Sequence, residues 1–149
     1  MAKRADPIKN SMKCVFPAKS INESFARMAV SAFVSQLDPP VSVLAELKTA
    51  VSEAVTNAIV HGYKEKQGKI YITVSLFENN NVRIRIRDKG VGIEDVTRAM
   101  EPLYTTAGDE RAGLGFAVME SFMDRVRVTS RPQKGTTVTL EKRIWGKNI

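Results

Sequence analysis

The sequence has one cysteine and one histidine in 149 residues, and these shortages exclude several kinds of site. The lone cysteine, Cys14, excludes an internal disulfide framework and a cysteine-rich metal centre. No stretch approaches the ~18 consecutive apolar residues of a membrane span. The charged start of the chain is not followed by the apolar segment of a secretion signal. We therefore expect a cytoplasmic protein that makes no membrane contact.

Another absence concerns nucleotide binding, because no G-x-x-x-x-G-K-[S/T] sequence occurs and a P-loop is excluded. The length suits one domain spanning residues 1–149, with residues 1–10 flexible. A formal net charge of +7 would suit nucleic acid, a membrane surface or an acidic protein. The 16 acidic residues are interspersed with the 23 basic ones, so we expect no direct binding to nucleic acid.

The first part of the chain is predicted to form a strand and then a helix. Met12, Cys14 and Phe16 alternate with polar neighbours, as in a short strand. Residues 20–23 have the spacing of a capping box, which predicts a helix start. Arg27 would lie off the apolar face of this helix. That face is predicted to consist of Phe25, Met28, Ala29, Ala32 and Phe33.

A second, longer helix is predicted after the break at residues 38–40, ending near Gly62, a residue type common at helix ends. Glu53 and Asn57 are four residues apart and share one helical face. A different face carries the apolar stripe of Leu44, Leu47, Val51, Ala54, Val55 and Ala58.

Two antiparallel hairpins are predicted by alternating apolar residues in 70–76 and 82–86, and again in 126–128 and 138–140. Short helices are expected over 95–100 and 116–123. Strands and helices without strict alternation predict an α+β fold in two layers. Arginines also alternate within the first hairpin, and we interpret them as the solvated face of a one-sided sheet instead of a nucleic-acid stripe. These are Arg83, Arg85 and Arg87.

The carboxylate and amide on the second helix suit two tasks on a triphosphate. Glu53 could accept a proton from an attacking hydroxyl, and Asn57 could offer oxygen to Mg²⁺ shared with phosphates. Both residues would otherwise simply line a solvated helix face. Asp88 stands at a strand end before Gly90 and Gly92, where its carboxylate could accept from the adenine amino group and disfavour guanine. The alternative for Asp88 is an ordinary turn.

A phosphate site is predicted where Gly113, Leu114 and Gly115 precede the last helix, because backbone amides at a helix start bind phosphate. Arg111 could add a charged contact to the terminal phosphate. The hydroxyls of Thr105 and Thr106 could help to position it.

Three segments, 52–62, 88–92 and 113–116, resemble in order and spacing the N box and two glycine boxes of one ATPase family. That family includes gyrase, Hsp90, bacterial histidine kinases and MutL. The resemblance implies ATP as ligand, a mainly antiparallel sheet with helices on one face, and a threonine, Thr137, near Asp88. Within the family, segments 22–27, 51–63, 102–106 and 120–124 resemble the stand-alone serine-protein kinases that act as anti-sigma factors.

This closer resemblance implies a homodimer that holds a sigma-F-like sporulation sigma factor. It also implies ATP-dependent phosphorylation of a serine on an anti-anti-sigma protein. Arg27 would contact both protein partners. Stress-response kinases of the anti-sigma-B type are the close alternative, although they tend to lack an intact 88–93 segment. A basic nucleic-acid-binding module with a vestigial pocket is an alternative of another class.

Overall fold

The computed structural model describes residues 6–101 and 110–144 of the chain, and for residues 110–113 it describes the backbone alone. One five-stranded sheet has the order β1-β2-β3-β5-β4, and every neighbouring pair is antiparallel. The predicted α+β class and both predicted hairpins are confirmed. The strands are β1 (Ile8–Pro17), β2 (Lys69–Phe77), β3 (Asn81–Asp88), β4 (Arg125–Arg131) and β5 (Gly135–Arg143).

Helices form the second layer. They are α1 (Asn22–Val34), α2 (Val41–Asn57), the short α3 (Val96–Ala99) and α4 (Glu110–Phe122). A turn of 3-10 helix, Ser35–Leu37, follows α1, and α2 continues into one π-helical turn, Ala58–Gly62. α2 packs between α1 and α4. Its predicted apolar stripe is confirmed, because the side chains of Leu47, Val51, Ala54, Val55 and Ala58 are all buried and that of Leu44 is half-buried against the core.

The sheet has one buried and one outward face, as alternation requires. Inward side chains of β2, β3 and β5 meet the helices in a single core, whose largest fully buried members include Ile72, Ile84 and Leu140. β1 begins at Ile8, so it takes in the last three residues of the stretch that we expected to be flexible. None of the helices in the described ranges is both long and apolar enough to span a membrane.

The predicted buried face of α1 is wrong. Phe25 and Met28 are 49% and 55% exposed, and the helix buries a neighbouring face instead. The residues of that face are Ala26, Val30, Ser31 and Val34. α1 carries apolar residues around much of its circumference, so periodicity alone did not select the face. Small and β-branched side chains let the helix approach α2 closely, whereas Phe25 and Met28 remain outside and Phe33 is half-buried against the core.

The predicted capping box at residues 20–23 is also wrong, because no side chain caps the first turn of α1. The backbone carbonyl of Ser20 instead accepts the N–H of Glu23 at 3.2 Å. Asn22 donates its side-chain amide to the carbonyl of Pro17 at 2.9 Å, which ties the helix start to the end of β1.

Candidate nucleotide-binding site

A cleft of about 840 Å³ opens between the helix layer and the sheet, within the range usual for small-molecule sites. The carboxyl end of α2 with its π-helical turn, the end of β3, the start of β5, α3 and the middle of α4 surround it. Its apolar walls include Ile86, Phe116 and Val138. Its polar lining comprises Asn57, His61, Lys64, Asp88, Glu94, Asp95, Arg98 and Thr136. The apolar walls suit a flat apolar base, and the polar lining suits a charged tail.

Asp88 ends β3 and is only 5% exposed. Burial raises the pKa of this carboxyl group, while backbone hydrogen bonds from Gly90 and Thr136 act in the opposite direction. The Gly90 N–H lies 2.9 Å from Oδ1. A carboxylate has about four acceptor positions, so these two bonds leave capacity for a donor from a ligand. The amino group of adenine is such a donor.

Close contacts explain why glycines surround Asp88. A Cβ atom on Gly62 would lie 2.9 Å from the Asp88 Cγ, and one on Gly90 would lie 2.0 Å from the Gly62 carbonyl oxygen. Gly62 therefore provides space and not the left-handed backbone of a helix cap, since its φ is not positive. Gly92 has φ +76° and approaches the Arg131 carbonyl, so a side chain there would be strained and crowded.

The π-helical turn at the end of α2 is attached to the segment after Asp88. The Val91 N–H donates to the Gly62 carbonyl at 2.9 Å. The Tyr63 hydroxyl donates to the Lys69 carbonyl at 2.5 Å and accepts the Lys89 N–H at 2.7 Å. Glu53 lies on α2 and Asp88 lies at the end of β3. These bonds therefore fix the position of α2, with Glu53, relative to Asp88.

We expect Tyr63→Phe to weaken ATP binding several-fold. The variant loses two hydrogen bonds that hold Lys89 and Lys69, at a cost of about 1 kcal/mol each, partly offset by water. Calorimetry with ATP and a thermal melt test this expectation, with Tyr71→Phe on the outward sheet face as the control. A lower melting temperature with unchanged ATP affinity would show that the hydroxyl serves stability alone.

Glu53 and Asn57 lie together beneath α4. A Cβ atom on Gly115 would be 3.0 Å from Glu53 Oε2 and 3.3 Å from Asn57 Oδ1. Only a glycine lets α4 approach these two side chains so closely. The structure therefore brings together the carboxylate and amide of α2 with Gly115 of the second glycine box.

The prediction that Gly113 and Gly115 precede the last helix is wrong, because α4 begins at Glu110 and contains both. Glu, Arg, Ala and Leu in residues 110–114 are good helix formers, and they extend the helix through two glycines that cost about 1 kcal/mol each relative to alanine. Packing of α4 on α2 offsets this cost. The two glycines are therefore not a loop at the start of this helix.

The donor chemistry around Asn57 fits Mg²⁺. Among the described residues, Asn57 Nδ2 is buried without a hydrogen-bond partner, so this N–H group can donate to a phosphate oxygen while Oδ1 serves as the oxygen ligand. Mg²⁺ usually takes one or two protein oxygens and shares the rest of its shell with water and phosphates. Asn57 Oδ1, with the Glu53 carboxylate nearby, meets that need. In the described part of the chain, no group of three or more His, Cys, Asp or Glu side chains is placed to hold a metal ion.

The structure places only some of the remaining predicted site residues. Thr105 and Thr106 lie outside the described residues, as does the side chain of Arg111. Leu114 is 57% exposed. Thr137 pairs with Arg87 on the outward face, and Thr136 occupies the position opposite Asp88 in the cleft. The assignment of Thr137 beside Asp88 is therefore corrected to Thr136.

Lys64, Arg98 and Thr136 line the cleft and were not predicted. Lys64 and Arg98 supply positive charge suited to phosphates. They lie in a turn and a four-residue helix whose positions depend on tertiary packing, so no local signal marks them. Thr136 could have been found only by knowing the register between β3 and β5.

Comparisons with known proteins agree with this geometry. The family described as "Histidine kinase-like ATPase domain" matches residues 16–142. The fold is similar to that of a blue-light activated histidine kinase from Erythrobacter litoralis, with a TM-score of 0.56 and 18% identity over 78% of this chain and 40% of that chain. The match to a separate structure of the histidine kinase domain from the same protein covers 97% of this chain and 66% of that domain, with the same TM-score.

Curated relatives place the chain more narrowly. The anti-sigma F factor of Priestia megaterium is 52% identical over 92% of this chain and 95% of that protein. The anti-sigma F factors of Bacillus subtilis strain 168 and Clostridium novyi are each 52% identical as well, over 92% and 91% of this chain and 94% and 95% of those proteins. The chain belongs to the histidine kinase-like ATPase family and, within that family, to the group of the anti-sigma F factors.

Proposed function

We propose that this protein is an ATP-dependent serine kinase and anti-sigma factor of the cytoplasm. It inhibits a sporulation sigma factor of the sigma-F kind and phosphorylates a serine on an anti-anti-sigma protein. One observation carries the enzymatic part: the base-reading carboxylate of Asp88 and the Glu53 and Asn57 pair line or border a single cleft of nucleotide size. The names of the relatives support the anti-sigma part.

The positions of Asp88, Asn57 and Glu53 suggest how phosphate would be transferred from ATP to serine. Asp88 accepts a hydrogen bond from the adenine amino group, while Ile86 and Phe116 contact the base. The triphosphate then extends toward Asn57 and Glu53. The acceptor serine hydroxyl attacks the terminal phosphorus as Glu53 takes its proton, a new oxygen–phosphorus bond forms, and the bond to ADP breaks. Phosphoserine and ADP are the products.

Asn57 would hold Mg²⁺ through its amide oxygen. When bound, the ion neutralises phosphate charge and helps to orient the terminal phosphate. Lys64 and Arg98, which line the cleft, offer further positive charge to the tail of the nucleotide. The chain's own contribution is thus mainly positioning and charge, as is general for phosphoryl transfer.

The outer surface of α1 suits protein binding. Ile21, Phe25 and Met28 are 81%, 49% and 55% exposed, and they follow one another at helical spacing. Arg27 lies beside them with 43% of its side chain exposed, and its guanidinium is 3.5 Å from Glu23. Apolar side chains around an arginine are a common composition for a protein interface. This surface supports contact with the sigma factor and with the anti-anti-sigma protein.

A homodimer is part of the proposal. Ile8 and Val15 on the edge strand β1 are 56% and 53% exposed, which leaves apolar surface at this edge of the sheet that self-association would cover. A two-fold dimer buries the same patch on both subunits.

Arg27→Ala should weaken binding of the sigma factor and of the anti-anti-sigma protein while ATP affinity stays at the wild-type value. Truncation removes a planar fork that can hold a carboxylate in two hydrogen bonds, and interface arginines of this kind are often worth about 2 kcal/mol or more. Affinities for both proteins, each measured with ATP and with ADP, test the claim. Arg127→Ala on the outward sheet face is the control.

Two outcomes would contradict parts of the proposal. If Arg27→Ala binds both proteins as tightly as wild type, α1 is not the shared contact, although the kinase assignment would stand. If the wild-type protein captures no sigma factor with either nucleotide, the anti-sigma assignment itself fails.

A further inference from the structure

The outward face of the sheet is strongly basic. Within the five strands, Glu141 is the single carboxylate on this face, because the other strand carboxylate, Asp88, is buried toward the helices. Arginines dominate two of the strands, and five of the six are exposed, the exception being half-buried Arg83. They are Arg83, Arg85 and Arg87 on β3 and Arg125, Arg127 and Arg131 on β4.

The register brings these arginines into rows across the sheet. Arg85 pairs with Thr139 of β5, which pairs with Arg127 of β4, and on the other side Arg85 faces Thr73 and then Lys13 of β1. Cations therefore occupy the first, third and fifth strands of this row, with threonines between them. Neighbouring strands are ~4.8 Å apart, so the row extends over about 19 Å.

Few of these charges are neutralised. Glu141 lies between Arg83 and Arg125 in the next row and is 3.4 Å from Arg83 Nε. Among residues 6–101 and 114–144, no carboxylate lies within 4.0 Å of Arg85 or Arg127. The centre of the face thus carries unpaired positive charge flanked by hydroxyl donors.

Aromatic rings support part of this arrangement. The Arg83 guanidinium lies 4.9 Å from the centre of the Phe77 ring, and the Lys89 ammonium lies 4.8 Å from the Tyr71 ring. Arg87 is 6.0 Å from the same tyrosine ring. A ring under a guanidinium attracts it through the ring quadrupole and leaves its N–H edges available for an anion.

We propose that this outward sheet face, the surface formed by the alternate residues of β1 to β5 that point away from the helices, binds the phosphate backbone of nucleic acid. Interfaces with nucleic acid are much more positively charged than interfaces between proteins. A second copy of the same face would be repelled. Arginine and threonine side chains both suit phosphate oxygens, so binding independent of base sequence is expected.

The size of the face fits this partner. Five strands of seven to ten residues form a surface about 20 Å wide and 23–33 Å long. This area, about 460–660 Å², reaches the lower end of the protein surface that single nucleic-acid-binding modules bury, about 600–1,000 Å². The proposal revises the expectation of no nucleic-acid binding. That expectation considered the mixture of acidic and basic residues along the chain and the arginines of β3, and the register adds the arginines of β4 to the same face.

The proposal is independent of the kinase and anti-sigma assignments, because the nucleotide cleft opens on the opposite side of β3. Fluorescence anisotropy with a labelled duplex of about 20 base pairs, two helical turns, provides the test. We expect binding in nucleotide-free buffer. For about five phosphate contacts, the logarithm of the affinity should fall against the logarithm of salt concentration with a slope of roughly −4 to −5.

The decisive variant combines Arg85→Glu and Arg127→Glu. It should reduce duplex affinity at least about tenfold near 100 mM salt and reduce the slope by about two, because two phosphate contacts are lost. The control combines Lys19→Glu and Lys48→Glu, which change the net charge equally away from this face, and it should bind nearly as wild type. Unchanged ATP affinity in both variants reports an intact fold. Should the charge reversal unfold the chain, the pair Arg85→Gln and Arg127→Gln replaces it.

Three results would overturn the proposal. The first is no duplex binding by the wild-type protein at about 50 mM salt, where phosphate contacts are strong. The second is an equal loss of affinity in the control variant, which would mean that net charge alone acts. The third is tighter binding of polyglutamate than of the duplex, which would identify an acidic protein as the partner of this face.

Discussion

Glu53→Gln should bind ATP nearly as the wild-type protein does and yet transfer phosphate to the anti-anti-sigma serine roughly 10²–10⁴ times more slowly. The amide preserves the size of the side chain beneath Gly115, so α4 can keep its place. It removes the group that accepts the proton of the attacking hydroxyl, and positioned general bases contribute rate factors of this order. Single-turnover transfer from labelled ATP measures the effect directly.

Glu120→Gln, an exposed position on α4, is the matched control and should transfer phosphate at the wild-type rate. A Glu53→Gln rate within a factor of two or so of wild type would remove this carboxylate from the chemistry, since even weak general bases exceed that factor. A parallel loss of ATP affinity would instead assign Glu53 to nucleotide binding.

Asp88→Asn should lower ATP affinity by about 1.5–3 kcal/mol, which is about 10- to 150-fold, because a hydrogen bond to a charged acceptor is lost. GTP affinity should change much less, since guanine presents a carbonyl where adenine presents its amino group. Calorimetry with both nucleotides distinguishes the two cases. Asp95→Asn, a change in another carboxylate of the same cleft, should leave the preference for ATP over GTP intact.

The same substitution should not destabilise the nucleotide-free protein. Burial raises the pKa of Asp88 above the value it has in the unfolded chain, so stability falls as pH rises through the folded-state pKa. Asparagine does not titrate, and its amide oxygen can still accept the Gly90 N–H. Thermal melts between acidic and neutral pH should show this decline in wild type and a smaller one in the variant. A steeper decline in the variant would contradict burial as the dominant influence on Asp88.

Local patterns predicted the elements that depend on local chemistry. Alternation located both hairpins, and helical spacing placed Glu53 and Asn57 on one face of α2, because each of these relations involves residues close in the chain. The position of Asp88 at the end of a strand could be predicted from the alternation before it and the glycines after it. These features need no knowledge of how distant segments pack.

Tertiary contacts decided what local patterns could not. α1 offers two plausible apolar faces, and the choice of Ala26 and Val30 over Phe25 and Met28 depends on the shape of its neighbours. The start of α4 depends on packing against α2, which outweighs the weak helix propensity of glycine. Thr136 and Thr137 have equal propensity for a strand, and only the pairing with Asp88 of β3 determines which one enters the cleft.

Because β3 contributes side chains to both faces of the sheet, it influences how the two surfaces can change among this protein and its relatives. Its odd-numbered arginines point outward and its even-numbered residues, Ile84, Ile86 and Asp88, point toward the helices. Substitutions on one side can therefore accumulate without disturbing the other, and each surface can be selected separately. Insertions differ from substitutions in this respect. One extra residue within the strand would exchange the two sides beyond it and alter both surfaces in a single step.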